Sequence, residues 1–540
     1  MLLLLAVATT FISPSAVFAA EESSEAALAG RIEEIIAGEN AQAAKVFWGL
    51  EVYSPARGQT VYAHNANRYF LPASATKLFT TAAALDLLGP DYQFRTLVGA
   101  RARIDRSGRL LGNLFFVGGG DPDLGGCSLP HTSEKEDGEQ PDCDPTEILD
   151  RLAAQVAARG VQTVTGNLVI DQRFFAAEPY PPDWAVGDLL WGYGAPVRAL
   201  SLADNALTLT VEPGERVNDP GRVMLEPFTR LYRVENRTWT ALPGSETLLW
   251  VRRDPGSHAL EISGPVALDE NVREIKVAVE EPGKFIGELF RAALARQGVR
   301  VLGRTEVRFS SAPPFTGTGA PVVPIILAEH LSLPLVEDVT LINKISQNLH
   351  AEMLLRHLGQ REPPEAALRE RPRRPYQPPP RRADGSTEAG LEVLRAWLAN
   401  AGIDPDDVSL TDGSGLSRRN LVTPRAVVAL LRYVEARPWA PLLRSSLPVA
   451  GVDGTLETWG QNTTLRGRVR AKTGSLGHTR VLAGYLQTRT GETLLVAVFL
   501  NHHTLEDAEV QLLLERICEA LVDLPVNETK SENRNSKLAR

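Results

Sequence analysis

Lysine is scarce in this sequence of 540 residues: only nine of the 57 basic side chains are lysines, and the rest are arginines. Arginine keeps its proton at any usable pH, whereas lysine can lose one in a suitable environment. A chain that uses arginine for ordinary positive charge makes each remaining lysine informative. Lys77, Lys344 and Lys472 lie in or beside three short motifs, and we interpret their placement as chemical rather than as surface charge.

The chain also lacks a net positive charge, and it contains only three cysteines. The formal net charge of -9 argues against a nucleic-acid partner, because phosphate binding needs a concentrated basic face. No cysteine or histidine grouping has metal-ligand spacing, so the sequence implies neither a metal nor a cofactor. Cys127 and Cys143 bracket a short polar loop, and export would permit a disulfide there. Cys518 lies in an apolar helical pattern, which predicts a buried thiol.

Long apolar runs are absent after the first twenty residues. Residues 1–20 carry no charge, and an apolar run is followed by a break at Pro14 and by small residues up to Ala20. This pattern predicts a secretory signal peptide. The alternatives are a buried N-terminal helix and a membrane anchor, although the run is shorter than the roughly twenty residues that a bilayer needs. We therefore expect an exported, periplasmic or extracytoplasmic protein without a transmembrane span in its mature part.

Hydrophobic alternation predicts one sheet built from both ends of the chain. An N-terminal hairpin is expected at 45–53 and 59–63, and three C-terminal strands are expected at 466–474, 480–489 and 493–501. The two flanking helices are expected at 72–89 and 505–523. A helix is expected near 146–158, and helices at 387–402 and 424–436. A further helical stretch from residue 334 carries Leu341, Ile345, Leu349 and Met353 at four-residue spacing, which predicts one apolar stripe.

Short alternating segments separated by Gly, Pro and Asp predict a β-rich insertion between residues 99 and 325. The expected fold class is therefore α+β, with an antiparallel sheet flanked by helices and interrupted by two small inserted domains. Residues 21–98 and 326–526 would form the main, catalytic domain. Within it, 361–385 carries seven Arg and seven Pro, which predicts a solvated loop, and the polar tail 527–540 is expected to be disordered.

Three motifs carry the candidate chemistry: Ser74-Ala-Thr-Lys77, Ser346-Gln-Asn348 and Lys472-Thr-Gly474. This ordered triple is similar to that of serine β-lactamases and penicillin-binding proteins. On a helix, Ser74 and Lys77 would share one face. A neutral Lys77 amine can take the Ser74 proton if burial and a second cation depress its pKa, and Lys472 is the candidate second cation.

The other motif residues have complementary expected roles. Ser346 can relay a proton to the leaving amine, and Asn348 can hold both the substrate amide and Lys77. Lys472 and Thr473 suit a terminal carboxylate. Gly474 allows close approach of an extended peptide to the strand, and the backbone N–H groups of Ser74 and Ser475 can form an oxyanion hole. Together with Lys77, these residues predict an acyl-transfer site with Ser74 as nucleophile.

Over nearly all of residues 40–525 the chain resembles the D-alanyl-D-alanine carboxypeptidase/endopeptidase family, the penicillin-binding protein 4 type. Besides the three motifs, the resemblance rests on Phe116-Val-Gly-Gly-Gly-Asp-Pro-Asp123, Tyr193-Gly-Ala-Pro-Val197, Asn343-Lys-Ile-Ser-Gln-Asn348, Asp412-Gly-Ser-Gly-Leu-Ser-Arg418 and Gly451-Val-Asp-Gly-Thr455. It implies a penicillin-recognising, transpeptidase-like fold, with peptidoglycan stem peptides as substrates and β-lactams as acylating ligands.

The resemblance also implies a pocket for a diaminopimelate side chain of the stem peptide. Asp171 matches the family acid for its amine, Phe175 the aromatic wall and Arg418 the base for its carboxylate. Each residue also has a purely structural interpretation: Asp171 can be an acidic residue in a turn at the end of a strand, and Arg418 can belong to a structural ion pair.

The resulting hypothesis is a serine D,D-peptidase that works through an acyl-enzyme on Ser74. Three alternatives remain: a β-lactamase, a non-catalytic wall-binding or antibiotic-sensing module, and an esterase. Ser346 follows Ser74 by 272 positions, which disfavours a β-lactamase, because in class A β-lactamases that gap is far shorter. The oligomeric state is not predicted.

Overall fold

The computed structural model describes residues 14–37, 43–125, 143–309, 323–362 and 383–525, which form two compact units. Unit 1 comprises the described residues within 1–75, 421–437 and 447–540. Unit 2 comprises those within 76–420 and 438–446. The predicted domain boundaries near residues 98 and 326 stay a prediction.

In chain order, the helices among these residues are α1 Pro14–Ala37, α2 Thr76–Leu87, α3 Glu147–Ala158, α4 Pro282–Arg296, α5 Leu335–Lys344, α6 Asn348–Leu358, α7 Thr387–Asn400, α8 Pro424–Glu435, α9 Ala440–Ser446 and α10 Asp507–Val522. The strands are β1 Phe47–Ser54, β2 Gln59–His64, β3 Arg95–Ala100, β4 Arg109–Leu110, β5 Leu114–Val117, β6 Thr163–Val164, β7 Leu168–Asp171, β8 Ala206–Glu212, β9 Arg222–Glu226, β10 Arg233–Ala241, β11 Trp250–Arg252, β12 Ala259–Ala267, β13 Arg273–Ala278, β14 Arg300–Val301, β15 Thr305–Arg308, β16 Ile325–Leu331, β17 Val408–Ser409, β18 Leu421–Val422, β19 Val469–Leu476, β20 Thr479–Gln487 and β21 Thr493–Asn501.

Unit 1 is built on a five-stranded antiparallel sheet in the order β19-β20-β21-β1-β2. The register pairs Leu50 with Val498, and both side chains are fully buried. Helix α10 places Ile517 and Leu521 in the same core, and α1 adds Ile32. The predicted sheet that joins the N-terminal hairpin to the three C-terminal strands is therefore confirmed.

Unit 2 contains a mixed five-stranded sheet in the order β15-β7-β5-β3-β16 and three smaller three-stranded sheets. Strands β5 and β7 run parallel, and α3 lies between them in the chain, because a parallel pair needs a crossover. Phe116, Leu152, Ile170 and Phe290 belong to the same buried core cluster. The predicted α3 and the predicted β-rich texture are confirmed, as is the α+β class.

The predicted continuous apolar stripe after residue 334 is wrong. Helix α5 ends at Lys344 and α6 begins at Asn348, and Ile345 between them is 46% exposed. The break arises because Ser346 adopts a left-handed backbone with φ of 64°, which no α-helix accommodates. Helices α4 and α9, and the part of α1 that follows residue 20, lie where the sequence analysis predicted no helix.

Some predictions fall on residues outside the described ranges: most of the signal peptide 1–20, most of the 361–385 loop, the tail 527–540 and Cys127. Cys143 is disulfide-bonded, and Cys518 is free and buried as expected. None of the helices in the described part of the chain combines the length and the apolar character needed to cross a membrane.

Candidate active site

Ser74 lies in unit 1, in the 3-10 turn Ala73–Ala75 that directly precedes α2. This turn packs tightly against β19. A Cβ atom added to Gly474 would lie 2.7 Å from the Pro72 carbonyl oxygen and 3.2 Å from the Ala73 Cβ. Only glycine at residue 474 therefore allows the strand to approach the turn that carries the candidate nucleophile.

Lys472 is fully buried on the same strand, where its Nζ donates a 2.9 Å hydrogen bond to the Thr473 carbonyl oxygen. The Thr473 hydroxyl is 2.6 Å from that of Thr455. β19 is the end strand of its sheet, and Ser475 is exposed there. Unit 1 thus brings Ser74 together with the strand that carries the third predicted motif.

Lys77 lies in the first turn of α2, within unit 2, and its side chain is fully buried. Its Nζ donates to Asn348 Oδ1 at 2.6 Å and to the Ser414 carbonyl oxygen at 2.7 Å. Burial lowers the pKa of Lys77 to about 7, against the opposing effect of the Asp412 and Glu352 carboxylates. An amine with this pKa is partly unprotonated near neutral pH, and a general base must be unprotonated before it can accept a proton.

The middle motif occupies the break between α5 and α6. Asn348 is the first residue of α6, and its Nδ2 donates to the Tyr193 carbonyl oxygen at 2.9 Å. Ser346 is partly exposed in its left-handed conformation. Such strain persists in a non-glycine residue only where the surroundings enforce it, and it is common at functional sites. The structure thus places Asn348 against Lys77, and Ser346 lies shortly before Asn348 in the chain.

A buried histidine anchors this motif. His350 lies 2.5 Å from Asp338 through Nδ1 and 3.0 Å from Asp204 through Nε2. Burial opposes its charged form, but the two carboxylates outweigh burial and hold the pKa of His350 well above its usual value. Asp204 also accepts a 2.9 Å hydrogen bond from Gln347 Nε2, so one carboxylate supports two residues of the segment.

The loop Asp412–Arg418 supplies the Ser414 carbonyl that binds Lys77. Glu352 accepts hydrogen bonds from the Gly413 N–H at 3.0 Å and from the Ser414 N–H at 2.7 Å. Asp412 accepts four more, from Trp184 Nε1, Gly415 N, Ser417 N and Asn420 Nδ2. Two buried carboxylates therefore hold the loop through its own backbone.

The three residues predicted to bind a stem-peptide side chain lie in different settings. Asp171 is 2% exposed and bonds the Arg173 guanidinium through both oxygens, at 2.8 and 2.6 Å. Phe175 is also 2% exposed and packs against the His357 ring, with 5.4 Å between the centroids. Arg418 is exposed and bonds Asp188 at 2.9 Å. The structure thus pairs Arg418 with Asp188, and it pairs Asp171 with Arg173.

The sequence analysis missed Asp188, Asp204, His350 and Glu352. Asp188 accepts a 3.2 Å hydrogen bond from the Tyr193 hydroxyl, and the Tyr193 backbone carbonyl bonds Asn348. The available signal was the presence of His350 and Glu352 between the leucines and Met353 of α6, and the structure buries both side chains fully. Charged residues are almost never fully buried unless they are paired.

Among the described residues, no three or more His, Cys, Asp or Glu side chains are arranged to hold a metal ion.

Comparison with known proteins gives concordant matches. The model of the D-Ala-D-Ala carboxypeptidase 3 (S13) family matches residues 28–371 and 379–520. A D-alanyl-D-alanine carboxypeptidase of Actinomadura sp. strain R39 is 34% identical over 467 residues, which is 84% of this chain and 78% of the relative.

Solved structures show the fold. The crystal structure of penicillin binding protein 4 (dacB) from Haemophilus influenzae superposes with a TM-score of 0.72 at 24% identity, covering 91% of this chain and 98% of that one. A complex of that protein with a β-lactam gives a TM-score of 0.67 at 23% identity, with the same coverage. The chain thus shares the fold of a penicillin-recognising protein, as the sequence predicted.

Proposed function

Because the chain belongs to the D-Ala-D-Ala carboxypeptidase 3 (S13) family, we propose that its three motifs form the reaction centre of this enzyme. The protein is a serine-type D-Ala-D-Ala carboxypeptidase, a hydrolase of the serine D,D-peptidase class. The observation that best supports the assignment of residues is Lys77: it is a buried amine with a pKa of about 7, three residues after Ser74.

In the proposed acylation step, the Ser74 Oγ attacks the carbonyl carbon of the penultimate D-Ala, and neutral Lys77 accepts the hydroxyl proton. The backbone N–H groups of Ser74 and Ser475 stabilise the oxyanion. The C–N bond then breaks, and Ser346 relays the proton held by Lys77 to the departing D-Ala amine, so that Lys77 and Ser346 both end the step neutral. Water hydrolyses the resulting ester and regenerates the Ser74 hydroxyl.

Substrate binding is assigned by the chemistry of the remaining groups. Lys472 and Thr473 bind the terminal carboxylate, Gly474 leaves room for the peptide along β19, and Asn348 orients the scissile amide as well as Lys77. The support for this assignment is geometric within each unit: Gly474 packs on the Ser74 turn, and Asn348 bonds Lys77 at 2.6 Å.

For the charged side chain of the stem peptide, we propose Arg418 as the group that binds its carboxylate. Asp171 and Phe175 stay a prediction for the amine and the wall of that pocket. Asp188 is a second candidate for the amine, since it lies beside Arg418 and is linked through Tyr193 to Asn348. An ammonium group can pair with Asp188 while a carboxylate pairs with Arg418.

The finer aspects of the function are also proposals. Peptidoglycan stem peptides are the substrates, cross-linked stems are cut as an endopeptidase would cut them, and β-lactams acylate Ser74. The protein is exported to the periplasm or another extracytoplasmic space, which the apolar N-terminal segment supports.

The test is release of D-Ala from a pentapeptide that ends in D-Ala-D-Ala. The wild-type protein is expected to release one D-Ala per peptide, and Ser74→Ala to release none. A peptide ending in L-Ala-L-Ala serves as the control and should stay intact. Release of D-Ala by Ser74→Ala at the wild-type rate would refute Ser74 as the nucleophile.

A further inference from the structure

Glu352 is a buried carboxylate that the reaction scheme above leaves without a role. It lies on α6 one turn after Asn348, so the two side chains share one face of the helix. Its side chain is fully buried. A buried carboxylate is costly unless donors surround it, so its partners indicate what it does.

Those partners lead to Lys77. The Glu352 carboxylate accepts the Gly413 N–H at 3.0 Å and the Ser414 N–H at 2.7 Å, and the Ser414 carbonyl oxygen accepts from Lys77 Nζ at 2.7 Å. Asn348, on the same helix, takes a second Lys77 hydrogen bond at 2.6 Å. One helix therefore holds the Lys77 amine twice, directly through Asn348 and through the loop by Glu352.

The charges on this face are coupled. Burial raises the pKa of Glu352 to about 7, and the neighbouring Asp412 adds to the effect. Burial brings the pKa of Lys77 to the same value, while Glu352 and Asp412 favour its charged form. Arg356, one turn further along α6, is fully buried and its pKa is lowered to about 10 by burial, so it stays charged at neutral pH. The charge on Glu352 thus changes in the same pH range as the charge on Lys77.

We propose that Glu352 is a positioning residue of the acylation step, which holds the Ser414 carbonyl against Lys77 and whose negative charge stabilises the ammonium form of that lysine. The inference rests on the proposed function, because it takes Lys77 as the base. When Glu352 is ionised, Lys77 holds its proton to a higher pH. When Glu352 is neutral, Lys77 releases its proton at a lower pH.

The test is the rate of acylation by benzylpenicillin, measured against pH by intact mass in rapid-quench samples. In wild type the rate should rise with pH as Lys77 loses its proton. In Glu352→Gln the charge is lost and the shape is kept, so this rise should move to lower pH by about one unit. Glu392→Gln is the control, since Glu392 is another buried glutamate of unit 2; its pH profile should match wild type.

Glu352→Asp separates position from charge. It keeps the carboxylate but shortens its reach, so the pH of the rise should stay at the wild-type value while the maximal rate falls about tenfold. A folded Glu352→Gln with the wild-type pH profile would overturn the proposal. Should Glu352→Gln fail to fold, a wild-type maximal rate in Glu352→Asp would overturn it. A wild-type protein that penicillin never labels contradicts the proposed function instead.

Discussion

In unit 1 the turn that carries Ser74 is positioned by close packing of backbone against backbone, whereas in unit 2 Lys77 is positioned by hydrogen bonds among buried polar groups. Gly474 lies so close to Pro72 that an added Cβ would meet the carbonyl oxygen at 2.7 Å. Lys77, by contrast, donates hydrogen bonds to Asn348 Oδ1 and to the Ser414 carbonyl oxygen, and Glu352 accepts a hydrogen bond from the N–H of Ser414.

This difference shows that the two units should respond to different kinds of substitution. A nucleophile held by close packing is sensitive to added volume, because packed backbone has little room to move. A base held by a buried polar network is sensitive to charge and to lost hydrogen-bond partners, because an unpaired polar group in a low dielectric is costly. Four substitutions can break or sharpen the comparison.

Lys77→Arg should have the largest effect. Arginine keeps the positive charge but does not release its proton, so the acylation rate should fall by about a thousandfold. Stopped-flow acylation kinetics with a chromogenic β-lactam would measure it. Lys276→Arg, on an exposed strand residue of the same unit, is the matched control and should behave as wild type. An active Lys77→Arg would remove the lysine from the role of base.

His350→Ala should have the largest effect on stability. It leaves Asp204 and Asp338 buried without their shared partner, which should lower the free energy of unfolding by about 3–5 kcal/mol. The folded-state pKa of His350 is raised, so this contribution is complete below the unfolded value near 6.5 and is lost as pH rises through the higher folded-state pKa. Urea unfolding at several pH values would measure it.

The matched control for His350→Ala is His258→Ala. His258 lies 3.0 Å from Glu281, but both side chains are substantially exposed, so its loss should cost less than about 1 kcal/mol. An equal decrease in the free energy of unfolding for the two variants would contradict the importance of burial in unit 2.

Gly474→Ala tests the packing of unit 1. The new methyl group would push the strand from the Ser74 turn, and the acylation rate should fall by about a hundredfold. Gly477→Ala is the control, since a Cβ there meets nothing within 4 Å. A Gly474→Ala variant with wild-type kinetics would show that the strand tolerates volume and that the comparison between the units is wrong.

Asp188→Asn should have the smallest effect, and one confined to binding. For a stem peptide with a diaminopimelate side chain, KM should rise about tenfold while kcat stays near wild type. A peptide with an apolar residue at that position should show no change. The same measurement on Asp171→Asn decides between the two acids. If KM rises in Asp171→Asn and not in Asp188→Asn, Asp171 binds the side-chain amine, as the sequence predicts.

Local signals predicted much of unit 1. The hairpin β1–β2, the strands β19 to β21 and the helix α10 all follow from alternation, turn residues and helical periodicity within short windows. The pairing in unit 2 could not be predicted in this way, since β12 pairs in parallel with β10 and antiparallel with β11. Such partners are chosen by tertiary packing, which no local window contains.

The candidate site divides in the same way. Ser74, Lys77 and Lys472 were predicted from the sequence because short motifs contain them, and their roles stay a prediction. Glu352 and His350 were not predicted because their contacts depend on burial and on partners distant in the chain, such as Ser414 and Asp204. A helical pattern shows which residues share a face, but not that a charge on that face is enclosed and held by a loop.

The central claim is that Ser74 is the nucleophile of a serine D,D-peptidase, and the most direct measurement is intact mass during incubation with benzylpenicillin. Wild type should gain one persistent penicilloyl group and Ser74→Ala none, because slow deacylation distinguishes a D,D-peptidase from a β-lactamase. An adduct that forms and disappears while penicillin is consumed would indicate a β-lactamase. A persistent adduct on Ser74→Ala would contradict the account.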